Sequence, residues 1–140
     1  MDKKKVLFIC TQNSARSQMA EGLLRSMYGD RFEVFSAGTN PWRVNPFAIE
    51  AMKKAGVDIS SHRSKSIDEF MEVEIDYAVT VCDNAKESCP YFPEAKVLLH
   101  HSFSDPAALM GGDEEILAEF ERVCDEIRVW IEEAIGTELI

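Results

Sequence analysis

Long hydrophobic runs are missing from this sequence: no stretch approaches the ~20 apolar residues that a membrane span requires. The start, Met1-Asp2-Lys3-Lys4-Lys5, is basic, but the apolar run behind it, Val6 to Ile9, is too short for a signal peptide, so the expected location is the cytoplasm. Positive charge is scarce as well. Lys and Arg number 15 against 25 Asp and Glu, for a net charge of −10, and acids crowd the stretch from Asp105 to Glu138. Such a surface repels polyanions, which argues against nucleic acid as partner, and with no spanning run no membrane partner is expected either. An anionic substrate would therefore need a local cationic site working against the overall field. Cysteine is limited to four residues, Cys10, Cys82, Cys89 and Cys124. Six residues lie between Cys82 and Cys89, not the two to four of a zinc knuckle, and His100-His101 makes a poor partner pair, so no metal site is expected. A structural disulfide framework is not expected in a reducing compartment either, which leaves redox or nucleophilic use. Repeats, low-complexity tracts and linkers are absent too. A chain of 140 residues, 46% of them apolar, fits one domain over residues 1–140.

Val6-Leu7-Phe8-Ile9 has the unbroken apolar character of a strand buried on both faces of a parallel sheet. Between Arg16 and Tyr28, Met19, Ala20, Leu23, Leu24 and Met27 recur at helical spacing, and Gly29 stops the pattern. Phe32 to Phe35 predicts a second strand, ended by Ser36-Ala37-Gly38. Asn45-Pro46 is a cap followed by proline at the first helical position, opening a helix that stops at Gly56. Tyr77 to Val81 and Val97 to Leu99 predict strands three and four. A tail helix from about Asp113 to Ala134 carries one apolar stripe, in which Cys124 serves as a small apolar residue. The alternation implies an α/β fold, a single doubly wound, four-stranded parallel sheet flanked by helices. Ligands of such sheets sit beyond the carboxyl ends of the strands, where Cys10 lies.

Cys10-Thr11-Gln12-Asn13-Ser14-Ala15-Arg16-Ser17 leaves the first strand and enters the first helix. Five residues between Cys10 and Arg16 let the backbone curl with its N–H groups inward, and the helix start adds partial positive charge. Such a nest holds a tetrahedral anion, two of whose oxygens suit the Arg16 guanidinium. The same field favours a thiolate, so Cys10 is expected to be acidic and nucleophilic, with Ser17 placed to donate to its sulfur. The plainer alternative is a buried cysteine beside an ordinary turn.

This stretch from Val6 to Glu21, with Ser36-Ala37-Gly38 and Asp105-Pro106, resembles the low-molecular-weight tyrosine phosphatase superfamily. Val44-Asn45-Pro46, Ala48 to Lys53, Asp58-Ile59-Ser60, Val81-Cys82 with Cys89-Pro90, and Arg122 to Ile127 are most similar to its thioredoxin-coupled arsenate reductases. The resemblance implies that Cys10 attacks arsenate, that Arg16 and the loop residues Thr11, Gln12, Asn13, Ser14, Ala15 and Ser17 bind it, and that Asp105 is the general acid. Without the resemblance, Asp105-Pro106 is simply a turn opener. It also implies that Cys82 attacks Cys10 in the adduct, releasing arsenite, and that Cys89 then attacks Cys82, leaving a pair that thioredoxin or a similar thiol donor reduces. The polar stretch Asp83 to Ser88 suits a movable second cysteine. No cofactor is implied, and the expected form is a monomer. Two alternatives stand beside this reading: an aryl or tyrosine phosphatase using Cys10, Arg16 and Asp105, and an oxyanion-binding module without turnover.

Several positions depart from the family pattern. Gln12 replaces the usual Gly, which costs about 1 kcal/mol if the position needs a positive φ. Ala15 stands where many relatives carry another cysteine. Trp42 is a phosphatase-like aromatic, whereas Ala107-Ala108 replaces the aromatics that follow Asp-Pro in phosphatases. Some relatives bind potassium through residues matching Asn13, Glu21 and Ser36 plus an acid at the position of Lys65; here the Lys65 ammonium is expected to take the ion's place beside Glu21.

Overall fold

Val6 to Ile9 are each fully buried, as an unbroken apolar run demands, and they form the middle of strand β1 (Lys4–Cys10). The computed structural model describes residues 3–81 and 95–140; Cys82 and Cys89, and the disulfide exchange expected of them, lie outside the described residues. Helix α1 (Arg16–Tyr28) follows, then β2 (Phe32–Gly38), α2 (Pro46–Lys54), β3 (Ile75–Thr80), β4 (Ala95–His100) and α3 (Asp113–Gly136). Short 3-10 turns at Ile67–Phe70 and Pro106–Ala108, not foreseen from periodicity, complete the order among the described residues. The strand β2 runs three residues past its predicted end at Phe35, because Ser36, Ala37 and Gly38 still pair with Phe8, Ile9 and Cys10.

The sheet is entirely parallel, in the order β2-β1-β3-β4. Growth of the sheet changes direction at β1, which gives the doubly wound order and makes the carboxyl end of β1 the switch point where ligands bind. Cys10 is the last residue of that strand. Helices α1, α2 and α3 touch one another, and α1 also lies against β1 and β2. Asn45 caps α2 through Phe47 N–H at 2.8 Å, with Pro46 at the first helical position. The chain leaves α2 through Gly56, whose φ of +87° favours a residue without Cβ.

In α1 every residue from Ser17 to Leu24 is buried, Gln18 and Glu21 among them. Buried polar groups must find partners, so this helix start is committed to a hydrogen-bond network. The stripe of α3 buries Phe120, Val123, Cys124, Ile127, Trp130 and Ile131 as expected. Cys124 lies against the Met52 sulfur at 3.5 Å, and burial pushes its thiol up to about 11. Among the described residues no helix is long and apolar enough to cross a membrane.

Candidate active site

The loop between β1 and α1 has its shape imposed from outside. The Thr11 carbonyl accepts from Asn40 N–H at 2.8 Å, and that of Gln12 from Trp42 N–H at 3.1 Å and the Ser64 hydroxyl at 2.8 Å. Asn13 O accepts from Gln18 Nε2 at 3.1 Å, Ser14 O from Asn45 N–H at 2.8 Å and Ala15 O from Met19 N–H at 2.9 Å. In a planar trans peptide the N–H points opposite to the C=O. The first four of these carbonyls are drawn outward and so turn the amides that follow them toward the loop's interior, while that of Ala15 makes the first helical bond of α1. No side chain caps the first turn of α1, whose N-cap is Ala15, so its N–H groups remain directed at the same space. The result is a backbone nest of the kind that can hold an anion, built by tertiary contacts rather than by the loop alone.

Cys10, 3% exposed, sits at the floor of this nest with its sulfur 3.0 Å from the Ser17 hydroxyl. Asn13 Nδ2 donates to that same hydroxyl oxygen at 2.8 Å; once Cys10 is a thiolate its sulfur can only accept, so the Ser17 hydroxyl is then the donor. Cys10, Thr11, Gln12, Ser14, Ala15 and Arg16 line one cavity together with Trp42, Asn45, Asp105 and Ala107. Its volume, about 280 Å³, falls below the roughly 300–1,000 Å³ of pockets for organic ligands, a size suited to a small ion. Asn13 and Ser17 stand behind the loop, where they are fully buried and touch its back rather than the cavity.

Arg16 and Asp105 meet despite their distance in sequence. The guanidinium donates to Phe103 O at 3.3 Å through Nη1 and lies 3.7 Å from Asp105 Oδ2 through Nη2. Asp105 Oδ1 accepts from Ala107 N–H at 3.0 Å. Asp105 is thus both the turn opener that local sequence suggests and a carboxyl at the cavity rim, 46% exposed.

A charged cluster underlies the loop. Glu21 accepts from Ser36 Oγ at 2.5 Å and pairs with Arg25 Nη2 at 2.6 Å and Lys65 Nζ at 3.6 Å. Burial pushes its carboxyl up, but Ser36, Lys65, Arg25 and His62 together outweigh that and hold it below the usual carboxylate range. Lys65 stands where the sequence comparison expects a cation substitute. With the ammonium and the guanidinium already on Glu21, a potassium ion there would meet two positive charges, and the residues present do not fit one. His62 is held below its ordinary value by burial first, with Arg25 and Lys65 adding to it against the pull of Glu21.

The departures at the loop resolve simply. Gln12 has no positive φ; that conformation falls on Asn13 (φ 49°), a residue that tolerates it. Trp42 is 60% exposed, stacks under the Arg43 guanidinium at 4.5 Å and forms one wall of the cavity. Ala107 lines the cavity without supplying a second aromatic wall. Among the contributors that escaped the sequence reading are Gln18, Gly38 and the groups that hold the loop from outside, Ser64 and the backbone of Asn40, Trp42 and Asn45. A polar residue within a buried helix start was the one available signal for Gln18. Nothing local marks Gly38, where a Cβ would meet the Thr11 carbonyl oxygen at 2.6 Å.

Comparison with known proteins agrees with this architecture. Residues 5–136 match the family model described as low molecular weight phosphotyrosine protein phosphatase. An arsenate reductase of Halalkalibacterium halodurans is 47% identical over 127 residues, 91% of each chain. The solved structure of an arsenate reductase in the phosphate binding state superposes with a TM-score of 0.77 at 31% identity, covering 96% of this chain and 98% of that one. A thioredoxin-dependent arsenate reductase of Corynebacterium glutamicum superposes with a TM-score of 0.67 at 30% identity, over 96% of this chain and 63% of that one. With nearly its whole length matched, the chain belongs to the low molecular weight phosphotyrosine protein phosphatase family.

Proposed function

We propose that this protein reduces arsenate to arsenite. The observation that carries oxyanion chemistry is the ring of inward amides around Cys10, closed by Arg16. Reduction rather than hydrolysis rests on Cys82 and Cys89 in the sequence and on the similarity to arsenate reductases. The Cys10 thiolate attacks arsenic(V) while the loop amides and Arg16 hold the arsenate oxygens, and Asp105 gives a proton to the oxygen that leaves as water. Cys82 then attacks the Cys10 sulfur. The S–As electron pair passes to arsenic, arsenite departs, and a Cys10–Cys82 disulfide carries the two oxidising equivalents. Attack of Cys89 on Cys82 frees Cys10, and a dithiol donor such as thioredoxin reduces the Cys82–Cys89 bond. Val81, the residue before Cys82, donates to Ile9 O at 2.9 Å, next to Cys10, which favours Cys82 as the second nucleophile.

A second reading has one observation in its favour. Trp42 on the cavity wall suits the face of an aryl phosphate, which would make the protein a phosphatase with incidental thiols. A single-turnover assay separates the two. The Cys89→Ser variant releases about one arsenite per chain without added reductant and stops as a Cys10–Cys82 disulfide. Cys82→Ser releases none. Equal bursts from both variants overturn the order of attack, and no arsenite from the unaltered protein with any thiol donor gives the case to the phosphatase.

A further inference from the structure

Beneath the oxyanion loop lies a chain of buried amides whose direction can be worked out atom by atom. Gln18 Nε2 lies 2.8 Å from Asn13 Oδ1, 3.1 Å from Asn13 O and 2.9 Å from Arg63 O. All three partners only accept, so this end of the side chain is the NH2 group. Its other end, Oε1, is 2.9 Å from His62 Nδ1, and since Oε1 cannot donate, Nδ1 carries the proton. The neutral ring then has Nε2 as acceptor, consistent with Arg25 Nη1 at 3.2 Å. With Cys10 ionised, and so able only to accept, donation runs one way: from His62 to Gln18, from Gln18 to Asn13, from Asn13 to Ser17 and from Ser17 to the Cys10 sulfur. Hydrogen bonds aligned in this manner polarise one another.

We infer that Gln18, oriented by His62, is a positioning residue that fixes this relay toward the Cys10 sulfur and tilts the Asn13–Ser14 peptide so that its N–H faces the oxyanion. The first effect stabilises the thiolate through the Ser17 hydroxyl. The second follows from the bond to Asn13 O: drawing that carbonyl outward turns Ser14 N–H the opposite way, toward the cavity that Ser14 lines. Gln18 is fully buried and does not line the cavity, so its influence passes through Asn13. Lys65 N–H also donates to Asn13 Oδ1, at 2.9 Å, which keeps part of the arrangement when Gln18 is lost and bounds the effect. The inference rests on Cys10 being the nucleophile, and holds whether the oxyanion is reduced or hydrolysed.

The test follows iodoacetamide alkylation of the Cys10-containing peptide against pH in the full chain, with and without inorganic phosphate as the protecting oxyanion. Gln18→Met keeps the volume and removes the amide; the titration midpoint of Cys10 should rise by about half a unit to one unit. Protection should need about five- to tenfold more phosphate. His62→Phe, which loses the donor, should move both readouts in the same direction, while His62→Gln, which retains one, should restore them. Ile127→Val, which loosens the core far from the loop, serves as the control for simple destabilisation and should move neither. A folded Gln18→Met protein with the unaltered midpoint and protection overturns the inference, as do equal values for the two His62 variants. Should Gln18→Met not fold, the His62 pair decides alone. An unaltered protein titrating at about 8.5, as a free cysteine does, removes the nucleophile reading and this inference with it.

Discussion

Replacing Gly38 by Ala is expected to damage stability and turnover together. Gly38 faces Cys10 across the β1–β2 pair, and its N–H donates to Lys65 O at 2.8 Å. A Cβ at this position would stand 2.6 Å from Thr11 O, 2.8 Å from Asn13 N and 3.0 Å from the Gln12 carbonyl carbon. Ordinary contacts of carbon settle at about 3.5–4.0 Å, so the loop or the strand must retreat by roughly 0.5–1 Å. All three obstacles are backbone atoms, which cannot rotate away as a side chain would. β2 cannot back off freely either, since the Gly38–Lys65 bond and the bridge to Ser66 hold it from the other side. Overpacking of this kind costs about 1–3 kcal/mol. A shift of the loop by that distance misaligns the amides with the oxyanion, and turnover should fall about 10- to 100-fold. Urea unfolding and arsenite formation by the same preparation measure the two effects. A Gly38→Ala variant within about 0.5 kcal/mol of the original and with turnover within about twofold would refute the claim that the glycine makes room for the loop.

Cys124, pushed up to about 11 by burial, should resist alkylation in the native protein at pH 8 and react only after unfolding, as peptide mapping would show, and Cys124→Ala should leave single-turnover arsenite release unchanged. Because Lys65 and Arg25 already neutralise Glu21, thermal stability and turnover should be the same in potassium and sodium chloride at matched ionic strength; a clear advantage in potassium would count against that arrangement. His62 is depressed in the folded state, so between its folded value and about 6.5 the unfolded chain binds the extra proton. Its contribution is complete above about 6.5 and is lost as pH falls toward the folded value, a loss that His62→Gln should remove from a stability–pH curve. Cys10→Ser should abolish turnover while phosphate binding, followed by calorimetry, persists, since the amides and Arg16 are untouched.

Sequence alone determined the strands and helices, because their signals are local: the unbroken run Val6–Ile9, the Asn45-Pro46 start and the stripe of α3 need no partner to be recognised. It also marked Cys10, Arg16 and Ser17, whose spacing at a strand–helix turn is itself the chemical statement. The likeness to known arsenate reductases then brought in Asp105 and Lys65, which no local pattern would have selected. Only the tertiary structure decided why the loop curls. The groups that draw its carbonyls outward come from Asn40, Trp42, Asn45 and Ser64, in distant segments, and from the Gln18 side chain, and such hydrogen bonds leave no periodicity to read. The roles of Gly38 and Gln18 were hidden for the same reason. The need for a missing Cβ, or for a buried amide with one orientation, arises only when another segment arrives at contact distance. The left-handed turn also fell on Asn13 rather than Gln12, a choice set by where the surrounding chain pulls each peptide.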